Sequence, residues 1–452
     1  MTKTKTAWLA FGCIGFGVAG VSIITCVGDT VTVAPSDSGT DTSIAETSTG
    51  DGGGCTSRVA NEATGVFVNI NGTDSAQCGS AASPCQTVQA GLNQAKVLTK
   101  STVYVARGTY KETITLSPGL AIEGGWDTLS GKWIPACGAD LVGAVKLQMP
   151  DTANVVVKAD FTGAATLRNL SIFSKTTTPA VGESLYGVLA MKCSLAFESV
   201  TVNIGPAGVG TDGDAGAPGS TGGIKCGAST GAVGGPGTPG AGGDAGAFGP
   251  TGYVAVNGAN GLGNGSSGAN GTCTAMCSGN EYTVCKSNTL NCSKANVCVS
   301  PLSGCGGTPG GGGQGGIGGG SSIAVFGWDA TFSLSGGSFV GGNGGNGGKG
   351  GTGGGGGTGG NGTAEQEGCA SCLSGNSCAT VGNTTLATGS MGGLGGAGGA
   401  GGGGAGGASF GVYAGGTGKI TVVTAPLFQH GTAGTAGSPN GAPGIAADRF
   451  PP

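Results

Sequence analysis

Residues that could perform catalysis or bind a metal are few in this chain and are poorly grouped. The only histidine, His430, lies in Gln429-His430-Gly431. Asp212-Gly213-Asp214 could contact calcium, but the ligand-rich loop of known calcium motifs is missing. Cys369-Ala370-Ser371-Cys372 is one half of a zinc knuckle pair, and no phosphate loop ending in Lys-Ser/Thr occurs. The sequence therefore predicts no catalytic, cofactor-binding or metal-binding residue.

Cysteine is the reactive residue type that the chain has in quantity, with 17 copies. Two of them, Cys13 and Cys26, lie in the N-terminal leader, and the rest favour disulfides formed in an oxidising compartment. That remainder is an odd number, so at least one is free or intermolecular, or the leader is assigned wrongly. The disulfide candidates are Cys55, Cys78, Cys85, Cys137, Cys193, Cys226, Cys273, Cys277, Cys285, Cys292, Cys298, Cys305, Cys369, Cys372 and Cys378.

The overall composition excludes two classes of protein. Glycine supplies 106 of the 452 residues, and charged residues are only 9%, where about 25% is usual. Charge-driven disorder requires many charges and few apolar residues, which is the opposite pattern. The net charge of −4 leaves no basic patch that could neutralise phosphates, so no nucleic-acid partner is expected.

The N-terminus has the features of an export signal. Lys3 and Lys5 precede an apolar run from Ala7 to Ile24, an order typical of a secretory leader. A membrane-spanning anchor is the alternative, because about 18 apolar residues is close to the length that crosses a bilayer. Ile23-Ile24-Thr25-Cys26 resembles a bacterial lipobox, although Thr25 stands where Gly, Ala or Ser is commoner.

We therefore expect lipidation at Cys26, a membrane attachment through that lipid, and simple cleavage as the alternative. Residues 27–54 are rich in Ser, Thr, Asp and Gly and predict a flexible linker.

Short apolar segments bounded by turn residues begin at Val66. Val66–Ile70 predicts a strand, and Ser83-Pro84-Cys85-Gln86 predicts a helix start with Ser83 at the N-cap and Pro84 at the first helical position. The predicted helix runs to about Leu98, with Val88, Leu92 and Ala95 on one stripe. Further short runs follow at intervals of 8 to 20 residues and indicate strands.

This order resembles the opening of right-handed parallel β-helix surface proteins of the pectate-lyase-like superfamily. The matching pieces are Asn71-Gly72-Thr73-Asp74, Ser83-Pro84-Cys85, the helix, Val103-Tyr104-Val105 with Gly108-Thr109-Tyr110, and Ile122-Glu123-Gly124-Gly125-Trp126. The resemblance implies an all-β solenoid whose first coil is covered by the helix. It also places Cys78 and Cys85 to staple the helix entry, and Cys55 to reach Cys137. An antiparallel sandwich is the alternative fold.

Three related segments follow, and each is succeeded by glycine-rich sequence. They begin at Tyr186, Ser322 and Phe410, and each is long enough for one solenoid coil. In the first arm glycine falls at every third position, from 210 to 222 and from 234 to 252. That period suits polyproline II, which has three residues per turn. The arms are thus either disordered spacers or bundles of polyproline-II strands.

The resemblance raises the question of polysaccharide cleavage. Pectin hydrolases carry paired aspartates, a Gly-His-Gly step and an Arg-x-Lys step, which this sequence lacks. Lyases need an Arg or Lys base beside acidic residues. Arg107, Lys192, Glu123 and Glu198 are present, but nothing in their spacing brings them together.

The sequence as a whole predicts a non-catalytic protein of the bacterial surface or exterior that has a structural, adhesive or glycan-contacting role. Its expected partners are the membrane, glycans and other surface proteins. The alternative is a polysaccharide-active β-helix enzyme, or a carbohydrate-binding module derived from one. The predicted segments are the signal peptide 1–26, linker 27–54, capped β-helix 55–204, first arm 205–320, coil 321–340, second arm 341–407, coil 408–430 and tail 431–452.

Overall fold

The computed structural model describes residues 58–129, 131–138, 140–226, 232–270, 276–277, 282–285, 292–295, 298–299, 302–373 and 377–451. The predicted leader with Cys26, the linker, Cys55 and Cys273 lie outside these residues. The same holds for the side chains of the other arm cysteines except Cys305, namely Cys226, Cys277, Cys285, Cys292, Cys298, Cys369, Cys372 and Cys378.

The described chain consists mostly of strands, with two short helices. The elements up to the first arm are β1 (Gly65–Val68), α1 (Val88–Val97), β2 (Thr102–Ala106), β3 (Gly108–Lys111), β4 (Ile114–Thr115), β5 (Ala121–Leu129), β6 (Lys132–Pro135), α2 (Asp140–Gly143), β7 (Val145–Gln148), β8 (Val155–Asp160), β9 (Ala164–Phe173), β10 (Leu185–Met191) and β11 (Ser194–Asn203).

The first arm and the strands after it hold β12 (Ile224–Cys226), β13 (Ala247–Gly249), β14 (Gly252–Val254), β15 (Met276–Cys277), β16 (Tyr282–Cys285), β17 (Cys292–Ala295), β18 (Cys298–Val299), β19 (Ser303–Gly304), β20 (Ser322–Trp328), β21 (Thr331–Ser335) and β22 (Ser338–Val340). The remainder are β23 (Ala364–Leu373), β24 (Ser377–Thr388), β25 (Ser409–Gly415), β26 (Lys419–Thr424), β27 (Leu427–Gln429) and β28 (Ala446–Phe450).

Two parallel sheets, A and B, form the body. In sheet A the main path is β1-β2-β5-β9-β11-β21-β26, and sheet B runs β28-β25-β20-β10-β8-β4. The pairs along both paths are parallel, whereas β5 and β6 form an antiparallel hairpin at the side of sheet A. An antiparallel sandwich, the alternative fold considered from the sequence, is therefore wrong for these residues.

The chain alternates between the two sheets, so each pass adds one strand to A and one to B. The strand pairs β9–β11 and β8–β10 both have a register offset of 30 residues, as Leu167 opposite Phe197 shows. Between the sheets lies one large apolar core, in which Val188, Phe197 and Phe332 are fully buried. Parallel sheets with both faces covered produce such apolar stacks because every strand presents alternate side chains to the same interior.

Helix α1 covers the first strands of this core. Val88, Leu92 and Ala95 are fully buried, as the predicted stripe requires. The predicted start at Ser83 is wrong, because the helix begins at Val88 with Thr87 as its N-cap. Residues up to Cys85 stay extended because Cys85 N–H donates to the Phe67 carbonyl at 2.9 Å, which holds this segment against β1.

The cysteines of the described body divide into bonded and free thiols. Cys78 and Cys85 form the expected disulfide beside the helix entry. Cys305 is also disulfide-bonded. Cys193, a predicted disulfide residue, is instead a buried free thiol, since it lies inside the core beside the Ala159 carbonyl.

Seven glycine-rich segments leave the body and pack against one another. We number them G1 (205–223), G2 (232–246), G3 (255–270), G4 (302–321), G5 (341–363), G6 (389–408) and G7 (430–445). Their hydrogen bonds recur at every third residue. The N–H groups of Gly210, Gly213 and Gly216 in G1 donate to the carbonyls of residues 346, 349 and 352 in G5, at 2.7 to 2.8 Å.

Segment G4 shows that one segment bonds several neighbours at once. Gly310 and Gly313 donate to G6, whereas Thr308 and Gly311 donate to G1. The third set of N–H groups meets asparagine side chains of G3, as Gly315 does with Asn260 Oδ1 at 2.8 Å. The described parts of the arms are therefore a hydrogen-bonded bundle, and the disordered alternative does not apply to them.

Buried serines join this bundle to the body where the chain returns from each arm. Ser322 Oγ donates to the Gly205 carbonyl and accepts from Gly342 N–H, both at 2.8 Å. Ser409 makes the matching pair with Gly342 and Gly431. Each hydroxyl thus ties the start of one glycine segment to the start of the next.

Candidate functional site

A column of polar side chains crosses the outer face of sheet A. Parallel pairing places Glu123, Arg168, Glu198, Ser335 and Thr424 in register on five successive strands. Because neighbouring parallel strands are about 4.8 Å apart, side chains in such a column lie within reach of each other. The column therefore forms one continuous polar strip.

The strip lies beside a bend in sheet A. Asn169, Ser199 and Gly336 each follow a strip residue directly, and their φ angles are 54°, 51° and 66°. Left-handed backbone turns the strand sharply, and non-glycine residues adopt it rarely. The repeated bend makes the outer face concave along the strip.

Two arginines and two glutamates form an alternating chain of ion pairs at one end of the strip. Arg58 Nη2 lies 2.7 Å from Glu123 Oε1, and Arg168 Nη1 lies 3.3 Å from Glu123 Oε2. Arg168 Nε also lies 2.6 Å from Glu198 Oε2. The hydrogen bond with Glu198 raises the pKa of Arg168 above its usual value, against the opposing effect of desolvation. Arg168 therefore stays charged and cannot act as a base.

An open groove of about 350 Å³ lies over this part of the strip. It is lined by Arg168, Asn169, Ala196, Phe197, Glu198, Ser199, Ser333, Ser335 and Val423. The Glu198 side chain is 42% exposed, so one carboxylate remains accessible at the groove wall. Charged fork donors, a carboxylate and hydroxyls are groups suited to hydrogen bonding a polar, uncharged ligand.

The structure differs from the sequence interpretation at this site. The sequence gave no spacing that joins Glu123 and Glu198, yet Arg168 connects them. Arg168 itself escaped notice, although the 30-residue offset between the similar strands β9 and β11 would have placed it beside Glu198. Arg107 lies apart from this site and pairs with Asp127 at 2.6 Å.

The other sequence candidates have structural partners. Asp212 Oδ1 accepts a hydrogen bond from Lys349 N–H at 2.7 Å, which links G1 to G5. His430 Nδ1 lies 2.7 Å from the carbonyl of Gly431. Asp74 is close to Cys78 and Cys85, but the two sulfurs form the disulfide, and Asp74 accepts from Gln86 and Thr87 N–H.

A second depression of about 370 Å³ lies where G1 leaves the body, between residues 174–179 and 205–209. The buried Lys175 beside it is bonded to Glu183 at 2.6 Å and to the Asp151 carbonyl at 3.3 Å. Its ammonium is therefore already satisfied by the protein, and the depression has no charged group that points to a ligand.

Comparison with known proteins adds no relative. In the described part of the chain, none of the helices has the length and apolarity needed to cross a membrane. No protein-family model matches the chain, and no curated protein matches it.

Proposed function

We propose that this chain is an exported, non-enzymatic surface protein that binds a glycan along the groove of sheet A. The observation on which this rests is the strip from Glu123 to Thr424, where ion-paired residues pass into hydroxyl-bearing ones on the same column. A base must have a free electron pair and a pKa near the working pH. Arg168 offers neither, whereas its donors and the neighbouring Ser333 and Ser335 suit a neutral polyhydroxylated ligand.

The fold that we propose for the body is a right-handed parallel β-helix, with the glycine segments as a bundle of polyproline-II strands. Alternation of the chain between two parallel sheets supports the first part. The three-residue period of hydrogen bonds supports the second, because polyproline II has three residues per turn. A crystal structure in which the segments have other backbone angles would contradict it.

Export and lipid attachment at Cys26 complete the proposal. The Cys78–Cys85 disulfide supports an oxidising compartment. Mass spectrometry of the mature N-terminus tests the anchor. A diacylated Cys26 is expected, with a Cys26→Ser variant released from the membrane fraction; an unmodified terminus elsewhere would contradict the anchor but not the glycan groove.

A glycan array on the full chain tests the groove. A Ser333→Trp variant fills it without changing charge, and Thr109→Trp makes the same substitution at an exposed position on β3, outside the groove. We expect Ser333→Trp to lose at least tenfold in affinity and Thr109→Trp to retain it. Equal binding by both variants, or no glycan retained by the native chain, would refute the groove.

A polysaccharide-cleaving enzyme is the second candidate, because Glu123 and Glu198 converge on one arginine. Glycosidases use two carboxyl groups that flank the scissile bond. A depolymerase screen that measures new reducing ends decides between the two. Turnover that Glu198→Gln abolishes, with glycan retention unchanged, would replace the binding proposal with the enzyme.

A further inference from the structure

The two ends of the sheet stack are closed differently. At the first end α1 and the Cys78–Cys85 disulfide cover β1 and β2, and Leu92 is fully buried. At the other end β26, β27 and β28 are the outermost strands in the described residues, each with one paired neighbour. Val423, Leu427 and Phe450 there are 66%, 53% and 45% exposed.

The exposed backbone edges set the class of occupant. Along the open side of β26 and β28 the N–H and C=O groups that a further strand would bond have no partner strand in the described chain. An exposed edge of this kind is a template for another polypeptide strand. Main-chain hydrogen bonds supply affinity in such strand addition, and side chains in register supply specificity.

The interior column of sheet B identifies the charge of that occupant. Val157, Val188, Val325 and Val412 stack in register and face the core, but the next position in the column is Arg449. Its guanidinium lies 5.8 Å from the ring centre of Phe428, the last aromatic of the facing sheet. None of the described carboxylates forms an ion pair with it. A strand added here that brings an acidic residue to this column would pair with Arg449.

The outer column of the same sheet asks for an apolar residue. Phe326, Tyr413 and Phe450 stack along it, with ring centres 5.2 and 5.0 Å apart and interplanar angles of 1° and 13°. Phe450 is the last ring of this stack. The neighbouring position on an added strand would therefore gain most from an aromatic or branched apolar side chain.

A second copy of this chain fits the edge less well. Two-fold antiparallel pairing centred on the five-residue β28 puts Asp448 opposite Asp448, and like charges that face each other across strands are destabilising. We propose that the open end formed by β26, β27 and β28 binds an extended polypeptide partner by strand addition, with an acidic residue of the partner paired to Arg449 and an apolar residue against Phe450.

Two synthetic peptides test this proposal on the full chain. Both are acetylated and amidated twelve-residue peptides (a length of roughly 40 Å when extended) of alternating valine and threonine. One inward position is aspartate in the first and lysine in the second. Fluorescence anisotropy should show the aspartate peptide binding at least tenfold tighter. Arg449→Glu should reverse this preference, whereas Arg107→Glu, which alters an arginine outside the open end, should leave it unchanged.

A second measurement guards against loss of folding. If Arg449→Glu unfolds, Arg449→Gln replaces it and should make the two peptides bind equally. Hydrogen exchange should slow in β26 and β28 when the aspartate peptide binds. No saturable binding of either peptide, or a preference that Arg449 variants do not change, would overturn the proposal. A concentration-dependent dimer that Arg449→Glu abolishes would assign the edge to a second copy instead.

Discussion

Adding one methyl group at Gly354 should loosen the glycine bundle, whereas the same addition at its neighbour Gly355 should not. Gly354 is buried in G5, and a Cβ there would overlap the backbone carbonyl oxygen of Ala217 in G1. A Cβ at Gly355 would meet no atom within 4 Å. The two positions are adjacent and have the same residue type, so the pair separates packing from helix or strand propensity.

The size of the effect follows from the bonds near Gly354. Relief of the overlap requires G1 and G5 to separate, and this weakens the nearest bonds between them, Gly216 to Thr352 and Gly219 to Gly355 at 2.8 and 2.7 Å. Each such bond contributes about 0.5–1.5 kcal/mol, and overpacking costs about 1–3 kcal/mol. The free energy of opening the bundle should thus fall by about 2–5 kcal/mol in Gly354→Ala. Gly355→Ala should change it by zero to a gain of about 1 kcal/mol, because alanine restricts the unfolded chain.

Hydrogen exchange with mass spectrometry measures this difference locally. Amides of 210–222 should exchange roughly 30-fold faster or more in Gly354→Ala, since about 1.4 kcal/mol corresponds to a factor of ten. Gly355→Ala should exchange like the native chain. Equal protection in both variants would refute close packing of G1 on G5, and faster exchange in Gly355→Ala alone would place the contact on the wrong face.

Three further predictions concern the junctions of the molecule. Ser322→Ala should lower the free energy of unfolding by about 1–3 kcal/mol in chemical denaturation because it leaves two buried backbone groups unbonded, whereas Ser338→Ala, which loses only a 3.4 Å hydroxyl contact, should cost less than 1 kcal/mol. Burial raises the pKa of Tyr253 to about 12, so stability present below pH 10 should decline between pH 10 and 12, and melting curves of Tyr253→Phe should show a smaller decline over that window. Cys85→Ser should lower the free energy of unfolding by roughly 2–3 kcal/mol through loss of the Cys78 disulfide, and an equal stability of the reduced native chain and the oxidised one would contradict this.

The local pattern of the sequence was sufficient for most strands of the body. Runs such as Val155–Val157 and Leu185–Met191 are apolar, β-branched and bounded by turns, and each is a strand in the structure. The helix was found from its apolar stripe, but its start was misplaced. The bond from Cys85 to β1 overrides the capping signal at Ser83, and no local rule reports a bond to a strand 18 residues earlier in the chain.

The glycine period likewise showed that the arms have a three-residue repeat, yet not which segments are neighbours. Gly354 and Gly355 are indistinguishable in sequence, and only the approach of G1 makes one buried and the other open. The same holds for the polar strip, since Glu123, Arg168 and Glu198 are 45 and 30 residues apart and meet through strand register.

By itself the sequence determined the all-β class, the core stripe of the helix, the Cys78–Cys85 disulfide and the repeat of the arms, because each depends on residues close together along the chain. Tertiary structure alone decided the ion-paired groove, the packing of the seven segments and the free state of Cys193. It also decided that the valine column ends at Arg449. These features depend on which distant segments become neighbours, and that is set by the sum of many weak packing and hydrogen-bond terms over the whole fold.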